Sequence, residues 1–124
     1  MIKFENSKNS NLVVSLAKQG NTKYSLISKN FSTSYWIIDT GASYHKIGSL
    51  NILSNYEPCD QDNTVFMADG TTSFTKGKGI ACIIGLTLKS ARYVPDLKCN
   101  MLSVSKLTKE KGCLVTFFQS YCVL

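Results

Sequence analysis

The longest apolar run in this sequence, residues 80–86, is only seven residues long and already contains a glycine. A membrane-spanning helix needs about 20 consecutive apolar residues, so the pattern excludes one. Short runs closed by turn residues point instead to strands. Tyr35-Trp36-Ile37-Ile38 is aromatic and β-branched and is stopped by Asp39-Thr40-Gly41. Val65-Phe66-Met67-Ala68 and Thr71-Thr72-Ser73-Phe74 flank Asp69-Gly70. Such a pair suits a two-residue type I′ hairpin, because that turn needs positive φ at both positions. Gly77 and Gly79 lead into Ile80-Ala81-Cys82-Ile83-Ile84, apolar on both faces and so predicted to be a central strand, with Gly85 to end or kink it. Ala91-Arg92-Tyr93-Val94 is closed by Pro95, and 114–118 and 121–124 complete the strands. One helix is predicted, capped by Asn100 and running through Lys109. Met101, Leu102, Val104, Ser105 and Leu107 carry its spacing, and Gly112 stops it.

Six or seven short strands and one late helix make the fold class all-β, a small closed β-barrel with one short helix in its C-terminal half. At 124 residues there is room for one domain, and 44% hydrophobic with 18% charged residues is ordinary for a globular fold. Residues 1–34 differ in texture. They hold five Asn, seven Ser and only scattered apolar clusters such as Leu12-Val13-Val14, and read as a polar, flexible linker with room for one strand of its own. The domain proper is predicted to be 35–124, folded with or without that linker. The linker also holds five Lys against one Glu, a balance of +4 out of the chain's +6. A solvated tail is the plain reading, and weak RNA contact is the alternative. The opening residues contain no apolar signal core, which argues against secretion. The chain ends inside an apolar run, which reads either as a paired strand or as a fragment of a longer polypeptide.

Five cysteines (Cys59, Cys82, Cys99, Cys113 and Cys122) form no C-x-x-C pair, and His45 is the sole histidine. No metal site and no cofactor are expected, and the thiols read as reduced in a cytosolic compartment. Chemistry concentrates in Trp36-Ile37-Ile38-Asp39-Thr40-Gly41-Ala42-Ser43. Two β-formers deliver a carboxylate to a strand end, a hydroxyl follows, and Gly41 lets the backbone turn tightly. An aspartic protease needs that local build, with its carboxylate rigid and held by N–H and hydroxyl groups. An ordinary Asp-initiated turn has the same three residues, so the tripeptide alone does not separate the two.

The wider pattern resembles the retropepsins, the aspartic proteases of retroviruses and retrotransposons. More specifically, Ala91-Arg92-Tyr93-Val94-Pro95-Asp96-Leu97-Lys98-Cys99-Asn100-Met101-Leu102-Ser103-Val104-Ser105-Lys106-Leu107 is similar to a segment of copia-type retrotransposon Pol polyproteins. Gly112 through Phe117 shares the texture of that family too. The resemblance covers about residues 35–124.

It implies a closed retropepsin-like barrel, active as a homodimer because each subunit supplies one Asp-Thr-Gly and this sequence contains only one. Asp39 is then the catalytic carboxylate, with Thr40 locking the loops across the two-fold axis and Gly41 allowing close approach. Ala42 and Ser43 support the turn and bind substrate, together with the hairpin at Ala68, Asp69 and Gly70, which is a flap over an extended peptide. The implied substrate is a Gag-Pol polyprotein, and the implied location is cytoplasmic, in a virus-like particle for a complete element. Where retropepsins place an apolar-apolar-Gly signature before the last helix, this chain has Lys98-Cys99-Asn100. His45 falls where relatives often carry His. Two other readings compete: a catalytically inactive β-barrel remnant or interaction module of a transposon polyprotein, and a nucleic-acid binder using the basic leader.

Overall fold

The computed structural model describes residues 3–5, 12–15, 36–67, 70–83, 85–118 and 121–124. Strand β1 is Lys3–Glu5, β2 Leu12–Ser15, β3 Trp36–Asp39 and β4 Lys46–Ile47. A single 3₁₀ turn at Leu50–Ile52 leads to β5 (Ser54–Phe66), β6 (Thr72–Ile83) and β7 (Leu86–Tyr93). Strand β8 (Asn100–Ser103) runs directly into helix α1 (Val104–Lys111), and β9 (Thr116–Phe117) and β10 (Tyr121–Val123) follow. One sheet has the order β2-β3-β8-β4-β7-β6-β5 and a second the order β1-β10-β9.

The long antiparallel meander β5-β6-β7 follows from alternation. Along β6, Ser73, Thr75, Ala81 and Ile83 point inward, while Thr72, Phe74, Lys76 and Lys78 point outward. Gly77 also lies on the inward face, and a Cβ there would collide with the Tyr56 ring. Tyr56 lies over that glycine, donates its hydroxyl to Lys76 O at 2.9 Å and meets Tyr93 edge-on at 6.0 Å. The apolar strand β3 differs: it lies between two parallel neighbours, and Trp36, Ile37 and Ile38 are all buried. Around Ile38 the core gathers Ile47, Leu88, Leu102, Leu107 and Cys122. The smaller sheet joins that core through Cys122, with Phe117 packed against it.

Four sequence-based expectations change. The sheet is not closed: among the described residues, β2 and β5 are its edges and do not pair. Strand β5 is built as an edge. Pro58 lacks an N–H, Asn55 takes φ +51°, and the register with β6 is irregular on both sides of Glu57-Pro58. Asn100 does not cap a helix. Residues 100–103 pair in parallel with β3 instead, Leu102 against Ile38, because burying that apolar pair in the sheet outweighs the helical propensity of Met101 and Leu102. The hairpin connection is three residues rather than two: Met67 N donates to Thr71 O at 2.8 Å, and Gly70 takes φ +84°. Finally, two pieces of the segment read as a linker pair into the sheets, β1 with β10 and β2 with β3. The rest of that segment lies outside the described residues.

Candidate active site

Asp39 ends β3 with its carboxylate half-exposed, and its Oδ1 accepts the N–H of Gly41 at 2.7 Å. This tight side-chain turn folds the loop back over the strand end. Gly41 and Ser43 are exposed, whereas Ala42 is buried, so the loop has an inner and an outer side. The inner side is fastened to β8. Asp39 and Ser103 are partners in the parallel register, and the Ser103 hydroxyl donates to Ala42 O. The same Oγ accepts the N–H of Lys106 at 3.1 Å and so caps α1. The backbone N–H of Ser103 donates to His45 Nδ1 at 3.0 Å.

His45 is fully buried, and its Nε2 has no partner among the described residues. Burial pushes its imidazolium down to about 4, opposed by Glu110 and reinforced by Lys106. Asn100, which stands where the retropepsin signature has other residues, is also fully buried, and its Oδ1 accepts the Gly48 N–H at 3.0 Å. The peptide following the loop is held as well, by Arg92 N donating to His45 O and Val94 N to Ile47 O, each at 2.9 Å.

Charge around the loop is mixed. Lys46 is half-buried, and burial lowers its ammonium pKa; Asp39 opposes that shift, and Arg92 adds to it. Arg92 lies 3.4 Å over the Tyr44 ring. A cavity of about 320 Å³ opens beside this stack, lined by residues that include Thr75, Lys78, Ser90, Arg92 and Lys106. Asp39 is not among the lining residues. Two of its cations already face carboxylates, Lys106 to Glu110 at 2.8 Å and Lys78 to Glu57 at 4.0 Å.

Of the residues singled out in the sequence, Asp39, Thr40, Gly41, Ala42 and Ser43 form this loop. Gly70 stands exposed at the hairpin tip, and Ala68 and Asp69 lie outside the described residues. Sequence reasoning missed Ser103, Asn100 and Lys46. Ser103 carried one usable signal: serine is a preferred N-cap residue, and it stands directly before Val104.

A strand-borne Asp-Thr-Gly loop seated on a parallel strand that turns into a helix defines a mostly β domain with one helix. The family described as Pol polyprotein, beta-barrel domain, matches residues 36–113, and the chain belongs to that family, found in copia-type retrotransposon Pol polyproteins. The retrovirus-related Pol polyprotein from transposon RE1 of Arabidopsis thaliana is 32% identical over 92 residues, 71% of this chain and 6% of that protein. That from transposon RE2 of the same plant is 29% identical over 96 residues, 74% of this chain and 7% of that protein. That from transposon TNT 1-94 of Nicotiana tabacum is 38% identical over 84 residues, 62% of this chain and 6% of that protein. The matched part of the chain thus spans 6–7% of the length of these relatives. No solved structure matches it.

Proposed function

We propose that this domain is an aspartic endopeptidase of a retrotransposon Gag-Pol polyprotein, active as a homodimer. The observation that carries the reading is the Asp39 loop. A carboxylate at a buried strand's end is turned onto the Gly41 N–H, and the backbone behind it is fastened to β8. Water is a poor nucleophile, and an amide nitrogen is a poor leaving group. One ionised carboxylate takes a proton from water as it attacks the scissile carbonyl. A second, protonated, carboxylate gives its proton to the departing nitrogen. The chain contains one Asp-Thr-Gly, so the second carboxylate comes from an identical subunit, and repulsion makes the pair share one proton. The β5–β6 hairpin is the element long enough to close over an extended peptide and exclude water. The cytoplasm, in a virus-like particle, is where such a polyprotein would be processed.

Asp39→Asn in the full chain should abolish cleavage of a polyprotein-derived peptide while leaving the circular dichroism and melting temperature unchanged. An active Asn variant, or a wild type that sediments as a monomer at micromolar concentration while cleaving, would overturn the assignment. The second reading, a catalytically silent interaction module, is favoured by Lys46. The Asp39 charge counters the burial of the half-buried Lys46 ammonium, a role for that carboxylate that needs no second subunit. Absence of any cleavage that a pepstatin-like mimic can inhibit would select that reading.

A further inference from the structure

The loop after Asp39 leaves the sheet beside Ser103 and returns to the same residue. It departs at the register pair Asp39–Ser103, is caught at Ala42 by the Ser103 hydroxyl, and comes back with the His45 ring against the Ser103 amide. Because that hydroxyl also caps α1, one serine joins the loop, β8 and the helix's first turn. The arrangement works only if Nδ1 of His45 carries no proton, since the Ser103 amide is itself a donor. The proton of the neutral ring then sits on Nε2, which is buried without a partner among the described residues. Orphaned buried donors are rare because they are costly, and this one stands opposite the bond that closes the loop.

We propose that His45 is a positioning residue for the Asp39 loop: as a neutral imidazole it holds the Ser103 amide, and Ser103 in turn fixes Ala42 and the direction of Asp39. The effect on cleavage rests on the protease reading; the effect on the loop does not. The charged groups around the ring come from several elements. Lys106 and Glu110 of α1 act on the ring itself, and Lys46, next along the chain in β4, is in turn acted on by Asp39 of β3 and Arg92 of β7, whose backbone N–H binds the His45 carbonyl; β8 supplies none. Protonating Nδ1 would set two N–H groups against each other and open the clasp.

Asparagine retains an acceptor near the Nδ1 position and cannot titrate, whereas phenylalanine keeps the shape without an acceptor. Residue-resolved amide exchange on the full-length chain, corrected for intrinsic rates, is compared at pH 7 and pH 4 for wild type, His45→Asn and His45→Phe. In the wild type, the Ser103 and Gly41 amides should lose about tenfold in protection at the lower pH while β6 and β7 keep theirs. His45→Asn should show equal protection at both pH values, and His45→Phe should show the loss at both. A His45→Asn variant that keeps the wild-type pH response overturns the proposal, as does a folded His45→Phe with wild-type protection. Should His45→Phe fail to fold, the His45→Asn comparison decides alone. Cleavage is scored separately. A wild type that shows the expected exchange pattern but cuts nothing supports the clasp and removes the protease reading.

Discussion

Two side chains next to the Asp39 loop set its electrostatics, and each makes a measurable claim. Lys46 has its ammonium disfavoured by burial, with Asp39 as the countering charge. Asp39→Asn should therefore lower the Lys46 pKa further. A titration of the labelled lysine by NMR would show this, and an unmoved value would mean that the two charges are out of reach. His45 makes a claim about stability. Burial pushes its pKa down to about 4, below the 6.5 of a free imidazole, so the unfolded chain binds the proton more readily. Its contribution is full above about pH 6.5 and is lost as pH falls through 4, by about 3 kcal/mol in all. Chemical denaturation at pH 7 and pH 4 should show that loss in wild type and a smaller one in His45→Asn. The position of His45 was legible in the sequence, but its purpose was not: Ser103, 58 residues further along the chain, gives the ring its partner.

At the scale of the element, strand β8 and helix α1 share the hinge residue Ser103. Ser103→Ala removes a helix cap and the bond to Ala42 together, and should cost about 2–3 kcal/mol in urea unfolding, more than a cap alone. The helix's far end has its own stop, Gly112 at φ +60° donating to Thr108 O, and that stop was readable from sequence because glycine is the residue that adopts this conformation cheaply. Its start was not readable. Met101 and Leu102 fit an apolar helical spacing as well as a buried strand, and only pairing against β3 separates the two. In the meander, Gly77→Ala would push Tyr56 off its seat and should cost about 1–3 kcal/mol. If Gly77→Ala melts like wild type, then Tyr56 is not packed as described.

Across the whole molecule, β2 and β5 are edges of an open sheet, and the two sheets meet over one core. Removing residues 1–15 deletes β1 and β2 and bares the edge of β3, whose Trp36, Ile37 and Ile38 are all buried. Such a truncation should lower the denaturation midpoint and the m-value together, since less surface is buried, and should promote association through the bared edge. A truncated chain with wild-type midpoint and m-value would show that β1 and β2 contribute nothing to the fold. The sequence by itself determined the strand-rich class, the Asp-Thr-Gly at a strand end, the central run in β6 and the helix stop. Each of these follows from what neighbouring residues allow the backbone to do. Tertiary structure alone decided that the sheet stays open, that residues 100–103 are strand rather than helix, and that Ser103, His45 and Asn100 brace the catalytic candidate. Those outcomes turn on burial and hydrogen bonds between residues about 50 or more positions apart, which local sequence pattern does not encode.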